Sequence, residues 1–150
     1  MAGLRTITQF EAKVDFAKSS LENGSVMKQS VEEHATDIIQ ANKDQLYLMG
    51  QNPLGISLGD YSPYTVRVKR EKGQPYDRVT LRDTGEFYAG FRLDADSAGF
   101  SITSTDWKTE ELLRVWGPVF GLNQENRQRI AQTLILPDLR KFTRETLFSS

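Results

Sequence analysis

Cysteine is absent from the 150 residues, and histidine occurs once, at His34. The first absence excludes disulfide frameworks, thiolate metal sites, iron–sulfur clusters and cysteine nucleophiles, and the second excludes a histidine-rich zinc site within one chain. No apolar run approaches the ~20 residues of a membrane span. The opening stretch MAGLRTITQF lacks the apolar core of a secretory leader. An excess of one charge is missing too: 19 basic against 20 acidic side chains leave a net charge of −1. No bulk attraction therefore draws the chain to nucleic acid or to an anionic membrane. Internal repeats and low-complexity tracts are absent. A chain of this length buries ~70% of its unfolded surface, enough for one domain without metal or disulfide. These features predict a soluble, compact, intracellular protein with a single domain over 1–150.

The even balance conceals a local pattern. Residues 1–66 carry five basic and eight acidic groups, net −3. Residues 67–82 carry six basic (Arg67, Lys69, Arg70, Lys72, Arg78, Arg82) and two acidic groups, net +4. Residues 83–123 are net −4 and residues 124–150 net +2. A short basic block between acidic regions reads either as a solvated loop or edge strand or as a contact surface for an acidic partner, including another copy of the chain.

Periodicity predicts helix through the first third. Phe10, Val14, Ala17 and Leu21 recur at helical spacing, and Asn23–Gly24 ends that run. Ser25 suits the N-cap of a longer helix with an apolar stripe of Val31, Ala35, Ile38, Ile39, Leu46 and Met49, closed by Gly50, which tolerates positive φ. Lys28, Glu32, Glu33, Asp37 and Asp44 fall on its other face. Glycine and proline then punctuate residues 50–79, which reads as a long mobile loop or arm. Within it, Tyr64–Lys69 alternates as a short strand would, whereas Asp60–Pro63 could instead open a helical turn. Phe87, Ala89, Phe91 and Leu93 alternate with polar residues, and Asp94–Gly99 is turn chemistry. This predicts a β-hairpin with strands at about 87–94 and 99–105. Thr109 is placed to cap a short helix through Leu112, Leu113 and Trp116. Asn123 is placed to cap another with Ile130, Ala131 and Leu134 inward. Pro137 must start or kink a helix, and Leu139, Phe142 and Leu147 form a last amphipathic segment. The expected class is α+β: long N-terminal helices and C-terminal helices flanking a small antiparallel sheet with a hairpin at about 87–105.

Asp83-Thr84-Gly85 is the string most suggestive of catalysis, because aspartic proteases place this tripeptide at a turn and pair two copies. Arg82 before it and Glu86-Phe87 after it do not fit that family, and the same residues suit a structural turn. His34 has acidic neighbours but lies off the apolar stripe, a surface position without an evident nucleophile. Glu32, Glu33 and Asp37 do not complete an oxygen cage. Gly50, Gly55 and Gly59 are not followed by the Lys-Ser/Thr of a phosphate loop. Tyr61, Tyr64 and Tyr76 interleave with Arg67, Lys69, Arg70, Lys72 and Arg78. That mixture suits a protein interface or, as the alternative, a small nucleic-acid-binding module over 61–82.

In order, the chain offers a long helix, a glycine-rich stretch, Ser62-Pro63-x-Thr65, Lys69, then Leu81-x-x-Thr84-Gly85-x-Phe87 entering a strand, and Phe120-Gly121. This arrangement resembles the tail-completion, head–tail joining and virion-morphogenesis proteins of tailed bacteriophages. Phenylalanine stands at position 87 where that family usually has leucine. Leu134–Arg140 departs from its Pro-x-Arg-Pro-Phe-like step before the last helix. The resemblance spans about half the chain. It implies a non-enzymatic virion protein without cofactor or metal, made in the host bacterial cytoplasm. It also implies a homo-oligomeric ring, commonly hexameric, beside portal, connector or tail proteins, with no membrane or sequence-specific nucleic acid partner. On that reading the interface residues are Tyr61, Tyr64, Arg67, Lys69, Arg70, Lys72, Tyr76 and Arg78, and Asp83, Thr84 and Gly85 form a structural turn.

Overall fold

The computed structural model describes residues 2–149, with side chains from Thr6 onward. The elements in chain order are α1 (Ala2–Glu22), α2 (Ser25–Glu33), α3 (Ala35–Met49), α4 (Pro63–Glu71), the single turn α5 (Glu86–Ala89), β1 (Phe91–Ala95), β2 (Phe100–Ser104), α6 (Thr109–Trp116) and α7 (Gln124–Ile130). A π-helical turn, Ala131–Ile135, then leads into α8 (Leu136–Phe148). The fold is α+β: helices with one small two-stranded antiparallel hairpin. The chain divides into two compact units.

The first unit comprises residues 1–34, 95–100 and 129–150. Here α1 lies along α8, with Phe10 against Phe148 and Phe16 against Phe142 at ring separations of 6.3 and 6.4 Å. Ala17 and Ser20 are the buried positions among the described side chains of α1. Gly24, with φ 77°, precedes α2, and a Cβ there would collide with the Ser97 carbonyl. The long helix expected from Ser25 is broken at His34, which caps α2. Its Nε2 lies 2.9 Å from Asp138 Oδ2, and the Ser30 hydroxyl donates to the same oxygen at 2.6 Å. Pro137 cannot donate to the carbonyl four residues earlier and its ring crowds it, which accounts for the wide turn just before it. That turn shifts the helix face, so Ala131, expected inward, is exposed while Ile130 and Ile135 are buried.

The second unit comprises residues 35–94 and 101–128. Its core gathers Ile38, Ala41 and Leu46 of α3 with Val79, Leu81, Phe87, Tyr88, Phe91, Ile102, Val119 and Leu122. Two amides of α3 are as deeply buried as the aliphatics. Gln45 is 1% exposed; its Nε2 donates to the carbonyls of Asn52 (3.1 Å) and Gly121 (3.2 Å). Its Oε1 accepts from the Asn123 backbone at 2.7 Å and from Asn126 Nδ2 at 3.1 Å. Asn42 donates to Val119 O and accepts from Gly121 N. One helix thereby fixes two irregular segments, 51–52 and 119–123.

Two sequence expectations are corrected here. Residues 63–71, read as a strand or arm within a loop, form helix α4; the alternative of a helical turn opened by Asp60–Pro63 is the one adopted. Strand β1 starts at Phe91 rather than 87, because Glu86–Ala89 is helical. Phe87 and Tyr88 are both buried, which a helical turn permits and an alternating strand does not.

Gln45→Leu should leave the Asn123 N–H and the Asn52 and Gly121 carbonyls without this partner, at roughly 1–3 kcal/mol for each buried group. A loss above about 3 kcal/mol is expected in denaturant unfolding. A loss below about 1 kcal/mol would show that the amide is not needed. In the first unit, the hydrogen bond from the Ser30 hydroxyl above all, helped by His34 and opposed by burial, holds the Asp138 carboxyl below its usual range. A depressed folded-state value stabilises above the unfolded one, near 3.9, and is lost as pH falls through the folded value. Acidification from about pH 5 to 3 should therefore lower the melting temperature of the parent more than that of Asp138→Asn.

Candidate functional site

Helix α4 begins where its sequence says it should. Ser62 is the N-cap, its Oγ accepting from Thr65 N at 3.2 Å, and Pro63 occupies the first turn. The helix turns one cation inward. Lys69 is 7% exposed, and its Nζ donates to Arg82 O at 2.8 Å and Gln74 Oε1 at 3.3 Å while lying 5.0 Å from the centre of the Tyr61 ring. Carbonyl dipoles and a ring face thus replace the carboxylate that a buried ammonium would otherwise require.

Tyr61 anchors the facing segment through its other end. Its hydroxyl oxygen accepts from Thr80 N at 2.9 Å and Leu81 N at 3.3 Å. Tyr88, whose phenol is pushed far up by burial, donates to the Thr80 carbonyl. Between these anchors Leu81 takes φ 55°, the left-handed region that bulky side chains avoid. Asp83 follows, accepting at Oδ1 from Lys72 (2.9 Å) and Gln74 (3.3 Å). Those bonds, Lys72 first, hold its carboxyl below the usual range. The Thr84 hydroxyl accepts from Glu86 N at 3.4 Å, and Gly85, at φ 95°, starts α5.

These segments wall an open cleft of about 180 Å³. Its lower lining is apolar, from Leu81, Phe87, Leu112 and Trp116, with Tyr61 edge-on to Trp116 at 6.1 Å. Arg82 and Lys108 bring positive charge to it, and neither makes an ion pair among the described residues. Leu81, Thr84, Gly85, Phe87 and Lys69, drawn from the motif positions, all meet at this cleft.

The structure divides the eight expected interface residues. Tyr61 and Lys69 face inward and serve the scaffold. Arg78 is half-buried, donating to Tyr47 O and Asp77. Lys72 is exposed but held by Asp83. Tyr64, Arg67, Arg70 and Tyr76 remain as an exposed group, with Arg67 over Tyr64 at 5.6 Å and Arg70 over Tyr76 at 4.7 Å. Leu112 and Trp116 are expected from the sequence only as apolar positions of a short helix; their meeting with residues 61–87, and Lys108 beside them, is a tertiary fact. The 82% exposure of Trp107 beside them had no sequence signal.

Among the described residues, no group of three or more histidine, cysteine or carboxylate side chains is placed to hold a metal ion. No helix of the described residues is long and apolar enough to cross a membrane. No protein-family model, curated protein or solved structure matches the chain.

Tyr61→Phe should strand the N–H groups of Thr80 and Leu81, lowering stability by about 1–3 kcal/mol in denaturant unfolding. Asp83→Asn loses an ion pair with both side chains about half exposed (50% and 54%), so its effect should stay under about 1 kcal/mol. The reverse ranking would refute this account of the turn.

Proposed function

We propose that this chain is a non-enzymatic structural subunit of a tailed-phage virion, forming a ring at the head–tail junction or completing the tail. Its partners on this reading are copies of itself and adjoining portal, connector or tail proteins. It is made in the bacterial cytoplasm and ends in the particle. One observation carries the reading beyond the sequence resemblance. The separate motif pieces, Ser62-Pro63-x-Thr65, Lys69 and Leu81–Phe87, form one hydrogen-bonded unit and leave Tyr64, Arg67, Arg70 and Tyr76 facing outward.

Exposed ion pairs contribute only about 0–1 kcal/mol each, so the tyrosines carry most of the affinity of such a band and the arginines set partner choice and approach rate. A second reading, single-stranded nucleic acid stacked on Tyr64 and Tyr76, rests on the same two arginine–tyrosine pairs. Particle assembly separates the two. The double change Arg67→Glu with Arg70→Glu should reduce incorporation into particles while leaving the fold intact. Tyr64→Ala with Tyr76→Ala should reduce it further. Normal incorporation of both variants would sink the structural reading. Tight binding of single strands that weakens steeply with salt would favour the second.

A further inference from the structure

The second unit carries an apolar projection as well as an apolar cleft. Leu54 and Ile56 are 74% and 58% exposed at the tip of the 51–57 loop. The loop is rigidly built. Asn52 Oδ1 accepts from Leu54 N at 2.9 Å and Ile56 N at 3.0 Å, the Asn52 backbone donates to Ile56 O, and Gln51 bridges to Ser57. Its base is held from below by Gln45 and by Asn123 Nδ2 on Gln51 Oε1. Two large aliphatic side chains thus stand side by side in water on a hydrogen-bonded loop, a pair suited to insertion into an apolar cleft. Neither lines the cleft of its own chain.

We propose that Leu54 of one copy enters the cleft formed by Leu81, Phe87, Leu112 and Trp116 of the next, with Ile56 against its rim. The volumes agree. A closed apolar cavity of roughly 150 Å³ takes a benzene-sized group, and about 180 Å³ of open cleft takes a branched aliphatic side chain. The charges agree as well. Asp60, exposed just beyond the projection and without an ion pair among the described residues, would face Arg82 and Lys108 at the cleft. The projecting residues and the cleft lining are different residues of one unit, so copies can join head-to-tail, and such contacts close into a ring if the rotation closes. This deepens the ring-subunit reading by naming the contact between copies, and it makes an interface distinct from the Tyr64–Tyr76 band.

The chain's lack of cysteine makes the test direct. Leu54→Cys and Leu112→Cys chains, purified separately and mixed at near-millimolar concentration under mild oxidation, should give one disulfide-linked heterodimer. Its yield should exceed by several-fold that of Leu54→Cys with Ser101→Cys, an exposed control position on β2. A chain carrying both Leu54→Cys and Leu112→Cys should give a ladder of higher oligomers. Adding Asp60→Lys should lower the heterodimer yield, and combining it with Lys108→Glu should restore part of it. If Leu112→Cys does not fold, Lys108→Cys takes its place. Heterodimer yield no higher than the control, or Leu54→Cys homodimers as the main product, would overturn the proposal. The assay uses only the purified chain. Failure here with normal band-dependent particle assembly would leave the virion reading standing, and cross-linking without incorporation would do the reverse.

Discussion

A lysine ammonium buried without a carboxylate sets the geometry of the cleft. Lys69 has three donors to satisfy, and it reaches Arg82 O, Gln74 Oε1 and the Tyr61 ring face. Satisfying them requires the carbonyl of residue 82 to point at α4, and so fixes where the chain runs immediately before Asp83-Thr84-Gly85. It also requires the Tyr61 ring to lie flat over the ammonium, which directs the tyrosine hydroxyl to the amides of Thr80 and Leu81. In a low-dielectric setting each of these contacts is strong, and each is costly to leave unmade. The arrangement is therefore close to all-or-none, a property suited to a surface that must keep one shape.

The buried amides of α3 do the equivalent for the segments without regular structure. A glycine- and proline-containing loop such as 50–60, whose Leu54 and Ile56 point into water, buries little apolar side-chain area with which to hold itself in place. Gln45 supplies two donors and an acceptor from a rigid helix, and Asn42 one of each. The loop bearing Leu54 and Ile56 thereby inherits the rigidity of α3. A preorganised projection loses less conformational freedom on binding than a mobile one would.

Much of this was legible where local chemistry agreed with itself. Ser62-Pro63 announced a helix start, Asp94–Gly99 a hairpin turn, and Asn123 an N-cap, which it is, accepting from Asn126 N at 2.9 Å. The sequence misled where tertiary demands outrank pattern. Tyr64–Lys69 alternates like a strand because its inward residue is a lysine, which no apolar periodicity registers. Phe87 and Tyr88 broke the expected strand by both turning inward. Nothing in the apolar stripe of that helix marks Asn42 and Gln45 as buried, since most of their partners lie more than seventy residues away at 119–126. The cleft has the same character: its walls come from residues 61–69, 81–87 and 108–116, and nothing in one segment announces the others.

Leu81 shows what the cleft demands of the backbone. A residue at φ 55° is most easily glycine, and glycine would remove strain of order 1–3 kcal/mol. Leucine is present instead, buried, at the floor of the cleft. Hydrogen bonds from the Thr80 and Leu81 N–H groups to the Tyr61 hydroxyl oxygen, and from the Tyr88 hydroxyl to the Thr80 carbonyl, surround the strained residue and offset its cost. Glycine would keep the turn and leave the floor without its side chain; leucine keeps the floor and accepts the strain. The choice makes sense if the apolar lining itself is what the turn exists to present.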